Sequence, residues 1–317
     1  MASLGGGHGL YQTLLAARRC EAEALTAVVT VADDGGSSGR LRRELDIIPP
    51  GDLRMALAAL SAEDEEGQLW ADTLQHRFGG NGAMAGHAVG NLLIAGLTGV
   101  LGSEQAALDR VAALTRSCGR VVPVCHEALE IEADVAGLDD DPRVILPVRG
   151  QVAVASTPGV VRRVRILPER PAANGLAVEA IREADLVTLG PGSWFSSVIP
   201  HLLVPEIVEA INDTDALRVV MLNLSPEVGE TQGFSSERHI HMLAQHAPTL
   251  RVDRIVIDGH SVTTTSERGH IARAARALGA EVTYRDIRMQ EEGHRRLNLH
   301  DPDKVAATLL DILAERR

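Results

Sequence analysis

The stretch Gly5-Gly6-Gly7-His8-Gly9, the helical run 10–19 and the apolar run 25–31 (L-T-A-V-V-T-V) together decide the fold. A glycine loop, an amphipathic run and a β-branched run, in that order, open a right-handed βαβ unit. Only residues 1–4 precede the loop, so either the sequence begins late or the strand feeding it is minimal. Glycines let main-chain N–H groups approach a phosphate, and the helix that follows adds free donors and positive dipole charge. The run 25–31 leads into Asp33-Asp34-Gly35-Gly36-Ser37-Ser38-Gly39-Arg40. Acids at the end of a second strand, ~20–30 residues beyond a glycine loop, are placed to meet ribose hydroxyls or a metal ion. Asp33 and Asp34 are therefore a candidate Mg²⁺ pair, with Gly36, Ser37, Ser38 and Arg40 as candidate ligand contacts.

The pattern repeats outward from this unit. Short apolar runs at 186–189, 219–224 and 255–257 read as buried strands. Periodic runs at 53–60, 91–100, 177–183, 204–211, 239–245, 270–278 and 305–313 read as helices. Alternation of this kind specifies an α/β, Rossmann-like, mainly parallel sheet flanked by helices, here as a single domain over 1–317. The stretch 121–170 departs from it. It is β-branched and turn-rich, and reads as a small antiparallel β-rich insertion with strands at 128–135, 151–156 and 160–167 around an acidic turn at 138–142.

Four more loops carry chemistry. Pro49-Pro50-Gly51-Asp52-Leu53-Arg54 offers Asp52, as helix cap or ligand contact, and Arg54, a cation in a first helical turn where the dipole disfavours it. Gly86-His87-Ala88-Val89-Gly90-Asn91 offers His87 and Asn91. Gly190-Pro191-Gly192-Ser193, after the run 186–189, is a second strand–glycine–serine turn and a second anion nest. The loop 223–234 offers Asn223, Glu230 and Thr231. Two nests on one parallel sheet converge at its C-terminal edge, where open α/β sheets bind ligands. The candidate ligand set is therefore Gly6, Gly7, His8, Gly9, Gly190, Gly192 and Ser193, with the residues above. The His-bearing pieces 238–241 and 294–300 lack zinc spacing.

Composition excludes several classes. The 317 residues carry a formal charge of −12, and Lys304 is the only lysine, which argues against non-specific nucleic-acid or anionic-membrane binding. Aromatics at 2% leave little for base stacking. Three cysteines (Cys20, Cys118, Cys125) without a C-x-x-C pair fit a reduced cytoplasmic chain. No uncharged apolar run reaches the ~18 residues of a membrane span. No P-loop, G-x-S-x-G or S-x-x-K motif occurs, so the loops describe a phosphate pocket without naming a reaction.

In combination, G-G-G-H-G-L, V-A-D-D-G-G-S-S-G-R-L-R, P-P-G-D-L-R, G-H-A-V-G-N-L and G-P-G-S-W-F-S-S-V-I-P resemble the YvcK-type gluconeogenesis (morphogenesis) factors. These lie within the superfamily of 2-phospho-L-lactate transferase. The resemblance runs from Gly5 to about Leu313. It implies a Rossmann-like sheet, a cytoplasmic homodimer and binding of a nucleotide sugar such as UDP-N-acetylglucosamine. It also implies a role in cell-wall precursor supply, cell shape and gluconeogenic growth. The alternative it carries is a Mg²⁺-dependent transferase acting on a nucleoside-diphosphate-activated donor, with Asp33 and Asp34 at the metal.

Overall fold

Runs with no polar face become central strands, because a parallel sheet is covered by helices on both sides. The computed structural model describes residues 1–141, 143–226, 230–231, 233–290 and 296–316. In it, β1 (Ala2–Gly5) and β7 (Leu186–Leu189) are buried at every position. Between them in sequence come β2 (Thr26–Val29), β3 (Arg120–Pro123), β4 (Glu130–Ala136), β5 (Ile145–Arg149) and β6 (Val160–Leu167). After them come β8 (Leu217–Met221), β9 (Arg254–Asp258), β10 (Glu281–Arg285), β11 (Arg288–Gln290) and β12 (Arg296–His300).

Seven strands form one parallel sheet in the order β10-β9-β8-β7-β1-β2-β3. The chain builds from β1 out to β3, then returns to β7 on the other side of β1. The order reverses between β1 and β7, so the crevice at their C-terminal ends is the topological switch point. The two strands run side by side, Ser3 opposite Thr188, and Thr188 Oγ1 donates to Ser3 Oγ at 2.9 Å inside the sheet. The feeding strand expected before the glycine loop is an interior strand of the sheet, between β7 and β2.

The antiparallel layer has three strands, as the sequence suggests, but one of them is Ile145–Arg149 and not 151–156. Three strands, β5-β4-β6, form it. β3 pairs parallel with β2 and belongs to the main sheet. The expected strand at 151–156 is a helix, Gln151–Ala155. Its Q-V-A-V-A run has the β-branching of a strand. However, the Asp34 carboxylate accepts from Gln151 N at 2.8 Å and Val152 N at 3.0 Å, and so satisfies the first donors of a helix. Helices also form at Gly36–Leu45, Glu65–Gln75 and Glu104–Leu114, beyond the expected set.

His201 ties the core behind the switch point. It is fully buried, with Nδ1 2.9 Å from Ser197 O and Nε2 3.1 Å from Val28 O. Two carbonyls favour the charged ring, but burial in an apolar core outweighs them and pushes His201 down to about 4. His300 is pushed to about 4 by the same cause. Both rings stay neutral in the fold and take up protons on unfolding below the ordinary histidine value of ~6.5. The unfolded state then binds more protons, so these groups remove stability as pH falls from about 6.5 toward about 4. Proton uptake on unfolding at pH 5 is the expected result, read from the buffer dependence of the unfolding enthalpy. Replacing His300 by glutamine should lower that uptake.

The helix Val89–Leu101 is apolar almost throughout, yet its outer side faces solvent. A Cβ added at Gly96 or Gly99 would meet nothing within 4 Å. Gly96→Ala and Gly99→Ala are each expected to raise stability by about 0.5–1 kcal/mol in urea unfolding, since glycine costs a helix interior that much. Among the described residues no single helix is long and apolar enough to cross a membrane.

Candidate functional site

The two glycine turns meet main chain to main chain. Gly5 ends β1 and the helix Gly7–Arg19 begins at once. Leu189 ends β7 and Gly190-Pro191-Gly192-Ser193 leads into a helical stretch from Trp194. A Cβ built on Gly9 would lie 2.1 Å from Pro191 O and 2.5 Å from Gly192 Cα. Thr13 Oγ1 donates to Gly190 O at 3.2 Å. Asn223 holds the turn from the far side, accepting from Gly192 N and donating to Gly192 O, both at 2.9 Å.

A cleft of about 300 Å³ opens over this contact, walled by Gly6–Gly9, Asp33, Asp52, Gln151, Gly192, Ser193 and Ser196. A second of about 130 Å³ continues past His8, Gly9 and Gly192 to Asn223, Asn298 and His300. His8 is exposed and lines both.

The acid pair of the crevice is Asp33 with Asp52. Asp33 Oδ1 accepts from Gly35 N at 2.9 Å, and Asp33 also walls the cleft. Asp34 is turned away, its carboxylate spent on the helix Gln151–Ala155. Asp52 does not cap its own helix, Gly51–Leu60. It accepts from the main-chain N–H of Gly7 instead. Burial, reinforced by the Asp33 charge, pushes Asp52 up to about 7. Arg54 is buried two residues on. Burial and Arg77 lower it to about 10, against the pull of Asp52 and Asp33, so it remains a cation at neutral pH. With Asp34 engaged by the helix Gln151–Ala155, Asp33 and Asp52 are the two carboxylates that wall this cleft.

Of the expected residues Ser37, Ser38, Arg40, His87 and Asn91, three (Ser37, His87 and Asn91) form a hydrogen-bonded cluster. Ser37 Oγ lies 3.0 Å from His87 Nδ1 and accepts from Asn91 Nδ2 at 3.0 Å. Ser38 sits under Gly51, where a Cβ would be 2.2 Å from its Oγ. Gly36 opens the helix Gly36–Leu45 with φ +47. Arg40 Nη2 donates to Ala85 O at 2.7 Å, tying down the His87 loop. None of these five lines the two clefts.

Of the loop 223–234, residues 227–229 and 232 lie outside the described residues, as does His294 of the piece 294–300. Glu230 reaches Ser193, and Thr231 is fully buried. Sequence reasoning missed Gln151 and Ser196 in the first cleft and Asn298 and His300 in the second. The W-F-S-S run was a readable signal for Ser196. Gln151 had none, because the insertion brings it in. A further polar group joins Asp258, which closes β9, to Arg288 Nε at 2.8 Å, with His260 Nδ1 3.7 Å away.

Comparison with known proteins identifies the family. The family model described as 2-phospho-L-lactate transferase CofD matches residues 1–297. A gluconeogenesis factor of Mycobacterium tuberculosis (strain ATCC 25618 / H37Rv) is 57% identical over 312 residues, which cover 98% of this chain and 90% of the relative. The gluconeogenesis factor of Bacillus subtilis (strain 168) is 35% identical over 325 residues, covering 99% and 98%. The crystal structure of a UPF0052-family protein from Bacillus halodurans superposes with a TM-score of 0.83 at 32% identity, covering 98% of each chain. The chain belongs to the 2-phospho-L-lactate transferase CofD family, in its branch of YvcK-type gluconeogenesis factors.

Proposed function

We propose that the chain binds a nucleoside-diphosphate sugar of the UDP-N-acetylglucosamine kind across the crevice between β1 and β7. In this reading it acts in the cytosol, as a homodimer, as a regulatory factor linking cell-wall precursor supply and cell shape to growth on gluconeogenic carbon. The observation that carries the reading is the contact of Gly9 with Gly192. It sets two glycine turns edge to edge, so that the main-chain donors of both can face one ligand carrying more than one phosphate. The diphosphate lies over Gly6–Gly9 and Gly192–Ser193. The nucleoside extends toward Asn298 and His300, and the sugar toward Asp33 and Asp52.

The test is thermal unfolding with UDP-N-acetylglucosamine, UDP, GDP and NADP, with and without Mg²⁺. A ligand at ~100 times its Kd adds ~2.7 kcal/mol of stability, a clear rise in midpoint. Curves that all overlay the ligand-free one sink the proposal.

The Asp33–Asp52 pair favours one second reading, a Mg²⁺-dependent transferase acting on a diphosphate-activated donor. Bound there, Mg²⁺ would neutralise charge developing on the diphosphate. Arg54 lends positive charge behind the pair, and the glycine turns orient the donor. Asp33→Asn would then remove turnover altogether. Tight binding with no turnover across a broad acceptor screen decides against this reading.

A further inference from the structure

Ser193 Oγ carries one proton and two lone pairs. Its oxygen accepts from Ser196 N at 3.2 Å and lies against Ser196 Oγ. It has carboxylate oxygens at 2.6 Å (Glu230 Oε1) and 2.7 Å (Glu230 Oε2), so its proton goes to Glu230. The same carboxylate draws on Phe195 N at 3.4 Å. Ser193 and Ser196 wall the 300 Å³ cleft beside Gly192. A serine hydroxyl and a main-chain N–H just after a glycine turn are the donors a phosphate oxygen takes. Here a carboxylate of the chain itself takes both. While it does so, Ser193 offers no proton to an incoming anion.

We propose that Glu230 is a latch on the anion seat. Its carboxylate holds the donors that a phosphate group of the ligand takes, and the phosphate binds by displacing it. The latch rests on the crevice being a phosphate site, not on which nucleotide fills it. It makes occupancy report a competition within the chain, so that weak anions are refused and a diphosphate anchored also by Gly6–Gly9 is admitted.

The test is calorimetric titration of the full chain with inorganic pyrophosphate, for wild type, Glu230→Gln, Glu230→Ala, Ser193→Ala and the double variant Glu230→Ala/Ser193→Ala. Glu230→Gln keeps shape and an acceptor for the Ser193 proton but removes the charge, and guards against a folding defect in the alanine variant. Both Glu230 variants are expected to bind pyrophosphate about tenfold more tightly than wild type, a change of about 1.4 kcal/mol. The gain should shrink with salt. In the Ser193→Ala background most of the gain from Glu230→Ala should vanish, because the freed hydroxyl is then missing. A nonspecific charge effect would leave that gain intact, and this result overturns the latch. Equal or weaker binding by both Glu230 variants overturns it too, as does no pyrophosphate binding by any variant. Tight pyrophosphate binding by the variants with no nucleotide sugar bound by any form upholds the latch while the nucleotide-sugar reading fails.

Discussion

Gly9→Ala is expected to abolish ligand binding and destabilise the fold together. The added Cβ would stand 2.1 Å from Pro191 O and 2.5 Å from Gly192 Cα, both main-chain atoms. No rotamer change relieves such a contact, so the two turns must separate. The second turn resists, because Asn223 grips Gly192 through both its N–H and its carbonyl, while Thr13 holds the Gly190 carbonyl. Gly192 itself sits at φ 143 and Gly190 at φ 73, conformations that leave little room to adjust. Overpacking of this severity costs about 3 kcal/mol, at the upper end of the usual range. Spreading the nests by ~1 Å should lower diphosphate affinity ~100-fold or more, since the donors no longer converge. Calorimetric titration and urea unfolding measure both. Gly96→Ala, predicted to stabilise, is the control that the substitution type is harmless elsewhere. A Gly9→Ala protein that melts like wild type and binds within threefold would remove the contact from the argument.

Asp52→Asn is expected to make the ligand-free protein more stable at pH 8 while removing Mg²⁺-dependent binding. Asp52 is pushed up to about 7 from an ordinary carboxylate value of 3.8. A raised carboxyl pKa means the folded state holds the proton more tightly than the unfolded chain. Its effect on stability is therefore nil below about 4, becomes adverse as pH rises toward 7, and is complete above 7. This opposes the two histidines, which lose stability in the acid direction. A full shift of this size is worth roughly 4 kcal/mol. Asp52 keeps a wet edge on the cleft, so about 2 kcal/mol is the expected gain for asparagine at pH 8, with almost none at pH 4. Asparagine still accepts from Gly7 N, which preserves the local geometry. Urea midpoints at the two pH values test the sign. A variant less stable than wild type at pH 8 would show that the charge is compensated in the fold. Loss of stability like this is the usual cost of a functional carboxylate.

The glycine loops, the buried strands and the alternation of strand with helix were legible because each is a local property. A loop of glycines followed by a periodic run announces itself within fifteen or so residues. The pairing of acids was not. Asp33 and Asp34 are neighbours in the chain, but a carboxylate is assigned by what it faces. Asp34 faces a helix start 117 residues away, and Asp33 acts on Asp52, which lies two helices on, in Gly51–Leu60. The strand expected at 151–156 failed for the same reason, since its helix is capped by a residue from another element. Ser37 and Ser38 read as one loop's candidate ligand contacts, and His87 and Asn91 as another's. Only the packing shows that Ser37, His87 and Asn91 hydrogen-bond to one another.

Sequence alone thus determined the α/β class, the two glycine turns and the sheet edge that carries them, because hydrophobic period and glycine placement act over short range. The tertiary structure alone decided that Gly9 touches Gly192, that Asp52 rather than Asp34 partners Asp33, and that Glu230 sits on Ser193. Each of these is a contact between segments distant in the chain. Such contacts depend on how the strands order themselves around β1, and no local propensity records that.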